Sequence, residues 1–296
     1  MLVIVGLVII FGGVGLGFAM AAGHAQPGGG LNFGAIGGLM HVSEFISLGG
    51  MTFGCMILMS PMHVLKGVIS QALGTLKGSP YNKGDYEELF KCMYELFQLG
   101  RRGGMIALEE HVLNPEASAL FQKYPKFHGN HHAVEYLADG LKPIVDGRIK
   151  PDQLEPLMTK SLATLEEEHH SPILVMNKVA DSLPAFGIVA AVLGIIVVMT
   201  TTITQGGEVV GQGIATALAG TFFGIFGSYC FVGPIATNAE FNGHAEATYM
   251  KCIKSAVVSF ANGLPPVVAC EVGRRELTGD VRMNSGDLET LLKSSG

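Results

Sequence analysis

The chain has 296 residues, 48% of them hydrophobic and only 15% charged, with 41 glycines and no tryptophan. A soluble chain of this size exposes more charge, so the composition points to a membrane protein with close-packed, glycine-rich helices. A net charge of −6 without any long basic run argues against nucleic-acid binding, and the five scattered cysteines (Cys55, Cys92, Cys230, Cys252, Cys270) form no CxxC pair and read as free thiols.

A bilayer span needs about 20 predominantly apolar residues. Leu2 to Ala22, Phe45 to Met62, Val179 to Thr202 and Ile214 to Thr237 meet that need, interrupted by charge only at Asp181. All nineteen Lys and Arg lie in two blocks, Lys66 to Lys178 and Lys251 to Lys293. The connectors Gly23 to Glu44 and Ile203 to Gly213 each carry one acid and no base. Basic residues mark the cytoplasmic side. The expectation is therefore an all-α membrane protein with four transmembrane helices and both termini in the cytoplasm. Residues 1–63 form a first hairpin, 64–178 a helical cytoplasmic domain, 179–237 a second hairpin and 238–296 a cytoplasmic tail. A cleavable signal peptide fits the start poorly: Gly23-His24-Ala25 offers small residues, but no Lys or Arg precedes the apolar run.

Within 64–178, Asp85 is placed to cap a helix whose Tyr86, Leu89, Phe90, Met93, Leu96 and Phe97 share one face, opposite Glu87, Glu88, Lys91 and Glu95. Gly100, Gly103 and Gly104 break that pattern, and Asn114-Pro115-Glu116 restarts it with a cap and an N1 proline. A separate charged helix is expected from Gln153 to His169. The tail continues span four as a helix, bends at Pro265-Pro266 and ends polar.

The interiors of spans three and four hold no Asp, Glu, Lys, Arg or His, so a chain of this kind that passes ions needs a carboxylate from another chain. Their polar groups are Thr200, Thr201, Thr202, Thr221, Ser228 and Tyr229, for which helix–helix hydrogen bonding is the ordinary role. Pro184 and Pro234 each remove one ladder bond, giving either a static kink or a hinge. Gly187, Ala190, Ala191, Gly194, Gly220 and Gly224 read as tight helix packing. Arg101, Arg102, Glu109 and Glu110 flank a glycine break; they form either a solvated face or a docking surface that works by charge. His128, His131 and His132, with Glu166, His169 and His170 further on, match no established metal signature, and adjacent histidines on a helix point about 100° apart. They read as solvated helix; a membrane metalloenzyme using them is the remote alternative. No phosphate-binding loop or nucleophile elbow stands out.

The stretch DSLPAFGIVAAVLG (181–194) closely resembles the third span of the flagellar stator family MotA/PomA. GTFFGI (220–225) and YCFVGPIA (229–236) resemble its fourth span, RRGGMIALEEHVLNP (101–115) its charged cytoplasmic motif, and GLPPVVACEVGR (263–274) its tail. The resemblance spans nearly the whole chain. It implies a ring of five copies in the bacterial inner membrane around two MotB chains, each bringing one membrane helix with an ion-binding Asp. It implies that ions pass between that Asp and spans three and four, with Thr221, Ala191 and Tyr229 along the path. Pro184 and Pro234 become coupling prolines. Arg101, Arg102, Glu109 and Glu110 become contacts to the rotor protein FliG. Sodium-driven members carry a Thr on span three where this chain has Ala191, which implies protons rather than sodium as the transported ion. No catalysis and no cofactor are implied. The runner-up is an ExbB/TolQ-like energiser, whose chains have three spans and lack the 101–115 motif.

Overall fold

The computed structural model describes residues 2–24, 30–39, 42–78 and 81–294. Of the expected first connector and the Gly23–Ala25 cleavage motif, residues 25–29 and 40–41 lie outside that set. All regular structure among the described residues is helical: α1 Leu2–His24, α2 Val42–Met59, α3 Met62–Lys77, α4 Lys83–Gly103, α5 Glu109–Leu113, α6 Ala119–Gln122, α7 Pro125–His128, α8 His131–Val145, α9 Pro151–Val197, α10 Gly207–Gly227, α11 Gly233–Ala261, α12 Pro266–Arg274 and α13 Ser285–Lys293. Two π-turns, Val198–Thr202 and Ser228–Val232, follow α9 and α10 directly. Among the described residues, four helical stretches are long and apolar enough to cross a bilayer: Leu2–His24, Val42–Met59, Pro151–Thr202 and Gly207–Ala261.

Two boundaries differ from the sequence reading. The charged helix expected at Gln153–His169 is not separate, because α9 runs for 47 residues into span three. No glycine lies between Pro151 and Phe186 to offer a left-handed stop, and the intervening residues are mostly good helix formers. The fourth apolar helix starts at Gly207 rather than Ile214. Gly206 supplies the turn with φ +108°, a backbone geometry that a side chain disfavours.

The chain divides into two compact units, residues 1–78 with 169–241, and residues 79–168 with 242–296. The first unit holds the apolar helices. Its buried cluster joins Leu48, Val64, Val68, Ile173, Met176, Val179, Leu183, Ala236 and Ala239. Helix α1 buries little, and Ile4, Val8, Ile9 and Phe11 lie exposed along it, as suits a helix facing lipid or a neighbouring chain.

The second unit is organised on α4. Its N-cap is Asn82, not Asp85: Asn82 Oδ1 accepts from the Gly84 N–H at 3.0 Å, and Asp85 Oδ2, at N3, accepts from the Asn82 N–H at 2.7 Å. That reciprocal pair is a capping box. Tyr86, Leu89, Phe90, Met93, Leu96 and Phe97 are all buried, as the period predicts. Phe97 stacks on Phe260 with centroids 4.4 Å apart and planes within 8°. The restart at Asn114 is only a short 3-10 turn, Pro115–Ala117, with no side-chain cap bond. The C-terminal segment is not a loose appendage. Gly273 on α12 sits where a Cβ would be 2.8 Å from the Cys252 carbonyl oxygen, and Leu288 and Leu292 on α13 are buried. Burial pushes the Cys92, Cys252 and Cys270 thiols far up, so they behave as small core hydrophobes.

Truncating Phe90 leaves a cavity in this core. Phe90→Ala is expected to cost about 3–5 kcal/mol, and Asp139→Asn on the exposed side of α8 about 0.5 or less. Thermal unfolding of the detergent-solubilised protein checks the contrast.

Candidate functional site

Spans three and four meet through their backbones. A Cβ placed on Gly187 would lie 2.8 Å from the Gly220 carbonyl oxygen and 3.1 Å from the Gly224 Cα. One on Gly224 would lie 2.7 Å from the Leu183 carbonyl oxygen. Further along, Gly220 faces Ala190 and Ala191, and Gly194 faces Ala217 with 2.9 Å left for a Cβ. The contacts recur every three or four residues, which is one face of each helix. The small residues singled out in the sequence thus form one antiparallel contact stripe.

The expected path residues separate within this frame. Ala191 is buried in the stripe, its amide nitrogen 3.6 Å from the Cβ position of Gly220. Thr221 is half-buried at the level of Gly187. Tyr229 is 73% exposed and lies outside the stripe. The hydroxyls of Thr200, Thr201 and Thr202 do not bridge helices: they donate back to Ile196, Val197 and Val198 carbonyls at 2.9, 2.7 and 2.9 Å. Ser228 does bridge, donating to the Ala180 carbonyl oxygen at 2.7 Å.

One charged residue escaped the sequence reading. Glu44, placed there at the end of a connector, lies in the first turn of α2 and is buried. Its Oε2 is 2.6 Å from the Cβ position of Gly220 and its Oε1 3.6 Å from that of Gly194. This chain therefore sets a carboxylate of its own against the stripe, one residue from Thr221. The available signal was an acid beside a span together with two glycines that leave room for it.

In the other unit, Arg101 and Arg102 end α4, and Glu109 and Glu110 open α5. All four are exposed. Arg101 Nη1 reaches the Gly263 carbonyl oxygen at 3.5 Å and Arg102 Nη2 donates to Gln98 Oε1 at 3.2 Å. None of the four forms an ion pair among the described residues. Gly104, at φ +77°, turns the chain between them, and Ile106 stands 77% exposed in their midst. An apolar side chain ringed by unspent charge suits a protein contact. Ile106 was not picked from sequence, where nothing distinguishes it from the buried Leu108.

His128 and His131 share the Glu116 carboxylate, whereas His132 pairs with Glu246. His131 Nδ1 lies 2.8 Å from Glu116 Oε1, and His132 Nδ1 3.2 Å from Glu246 Oε1. The Glu246 hydrogen bond holds the His132 imidazole above its ordinary value. Glu166 pairs with Lys251 at 3.1 Å.

Residues 4–104 match the family model described as motility protein A N-terminal, and residues 129–251 match the MotA/TolQ/ExbB proton channel family. The chain is 32% identical over 289 residues to motility protein A of Salmonella typhimurium, covering 98% of this chain and 94% of that protein. It is 30% identical over 259 residues to chemotaxis protein LafT of Vibrio parahaemolyticus, covering 88% and 90%. In fold it is similar to the C. jejuni MotAB structure, with a TM-score of 0.74, 21% identity and 95% and 98% of the two chains covered. The flagellar MotAB stator complex from Bacillus subtilis gives a TM-score of 0.67 at 20% identity, covering 97% of each chain.

The stripe leaves no room for a branched side chain. Gly224→Val, which must push against the Leu183 carbonyl and the Gly187 backbone, is expected to cost about 1–3 kcal/mol or more. Loss of the assembled complex on size-exclusion chromatography, with Gly54→Ala unaffected because nothing lies within 4 Å of its Cβ position, is the expected pattern.

Proposed function

The chain belongs to the motility protein A family and is a stator subunit of the bacterial flagellar motor, and we propose that it works with MotB as partner by the following mechanism. Copies assemble as a ring of five around two MotB chains in the inner membrane, with both termini in the cytoplasm. The distribution of all nineteen basic residues supports that orientation. MotB contributes the ion-binding Asp, and ions pass between it and spans three and four. Each passage shifts these spans at Pro184 and Pro234, and the ring turns the rotor protein FliG through Arg101, Arg102, Glu109 and Glu110. The protein catalyses no covalent chemistry in this scheme and needs no cofactor. The N-terminal match over residues 4–104 favours this reading over an ExbB/TolQ-like energiser.

The observation that carries the scheme is the glycine–alanine stripe, with Pro184 in one partner helix and Pro234 following the other. Backbones in contact transmit a shift of one helix to the other, while a helix missing a ladder bond bends there at least cost. The same stripe bears on the ion. Sodium needs several oxygen ligands to replace its water, whereas a proton needs an acceptor and a water chain. Ala191 is buried and offers no hydroxyl, which leaves Thr221 as the threonine of this region. The transported ion is the proton. Swimming should persist when sodium is replaced by potassium and collapse with a protonophore. Speed that climbs with external sodium and survives the protonophore would overturn the assignment.

The rotor contact is tested separately. Exposed charge pairs are worth about 0.2–1 kcal/mol each, so neutralising Arg101 or Glu109 alone should slow swimming only mildly. Reversal replaces attraction by repulsion. Arg101→Glu combined with Glu109→Lys should abolish swimming at normal membrane levels, and full motility in that variant would remove these residues from the contact.

A further inference from the structure

Pro184 has no N–H, so the Ala180 carbonyl loses the donor that a regular helix would give it four residues on. A buried carbonyl without a donor is costly in apolar surroundings. Here the donor comes from the neighbouring helix: Ser228, itself buried, places Oγ 2.7 Å from the Ala180 carbonyl oxygen. The contrast with other hydroxyls of the apolar helices is sharp. Thr52, Ser182, Thr200, Thr201, Thr202 and Thr216 all donate to their own helix, at the carbonyl four residues back. For Ser228 that carbonyl would be Gly224, yet the bond crosses to span three. A side chain as short as serine reaches across because Leu183 and Gly187 already touch Gly224 one turn away.

Ser228 also opens the second irregularity. The Gly233 N–H bonds to the Ser228 carbonyl, a step of five residues, so the ladder of span four is displaced by one residue immediately before Pro234. One residue thus closes the vacancy made by Pro184 with its side chain and anchors the π-turn before Pro234 with its main chain. We propose that Ser228 is a positioning residue: its hydroxyl substitutes for the bond Pro184 lacks and ties the two proline sites together, so that a shift at one is passed to the other. It touches no ion in this role. The proposal rests on the coupling role of the prolines for its mechanical consequence, but not for the bond.

The test uses the full complex with its MotB partner in two readouts. Melting of the purified complex reads the bond. Ser228→Ala should lower the melting temperature by about 2–4 °C, and Ser228→Thr, which keeps the hydroxyl, should not. In the Pro184→Ala background the restored N–H serves the Ala180 carbonyl, so Ser228→Ala should add no further loss. An equal loss in both backgrounds would show that Ser228 merely packs, and no loss in either would show that the bond does not matter; both outcomes overturn the proposal. Where Ser228→Ala alone fails to accumulate, its recovery by Pro184→Ala supports the substitution of one bond for the other, and failure in both backgrounds refutes it. Rotation of tethered cells at matched membrane levels reads the coupling. Torque should fall several-fold in Ser228→Ala and recover in Ser228→Thr. Unchanged torque in a Ser228→Ala complex that melts lower would strip Ser228 of its positioning role while leaving the stator function intact.

Discussion

Everything in the membrane-spanning unit depends on how closely spans three and four approach. Apolar burial gives little drive between helices in lipid, where the surroundings are as apolar as the side chains. Association must come from dispersion at short range and from hydrogen bonds. The stripe of Gly187, Gly194, Gly220 and Gly224 with Ala190, Ala191 and Ala217 provides the first by removing side chains from the contact. It also makes the second available, since only helices this close allow the hydroxyl of Ser228 to find a carbonyl on its neighbour. The room left by the glycines admits the Glu44 carboxylate as well. Glycine is a poor helix former, so its repeated use here has a cost in helix propensity that the close contact offsets.

The other unit is held by opposite means. It has a charged exterior and a core of large side chains, with Tyr86, Phe90, Phe97, Phe121, Phe127 and Tyr249 fully buried. Its shape is set by burial rather than by backbone contact. That makes it a firm platform for the exposed Arg101, Arg102, Ile106, Glu109 and Glu110, whose geometry derives from the α4 C-terminus and the Gly104 turn.

Much of this was legible in the sequence. Hydropathy and length located four spans because backbone satisfaction in lipid leaves long helices as the available solution. The buried face of α4 followed from its 3.6-residue period, residue by residue. The cap was displaced by three positions because Asp85 and Asn82 both suit an N-terminus, and only the reciprocal bonds decide which is the cap and which is N3. What sequence did not disclose was long-range. Nothing local says that Glu44 finds its space opposite Gly194 and Gly220, that α13 buries Leu288 and Leu292, or that Ser228 bonds outward while six other hydroxyls bond to their own helices. Each depends on which surface lies opposite. The continuity of α9 was missed for another reason: Pro172 stands between the expected charged helix and span three, yet a long helix tolerates it when other contacts hold it.

The energy available per ion bears on which parts of this structure can move. One elementary charge crossing a potential of 100 mV releases about 2.3 kcal/mol. Unmaking a buried aromatic contact such as that of Phe90 costs about 3–5 kcal/mol, beyond one ion's reach. An intramolecular hydrogen bond is worth about 0.5–1.5 kcal/mol net, well within it. A motor that advances ion by ion must therefore place its moving parts where the change is counted in single hydrogen bonds. The junction around Pro184, Ser228 and Pro234 has that character: a ladder already missing one bond, a π-turn that displaces another, and a single hydroxyl bond from Ser228 to the Ala180 carbonyl across the contact, in a medium where water cannot serve as substitute.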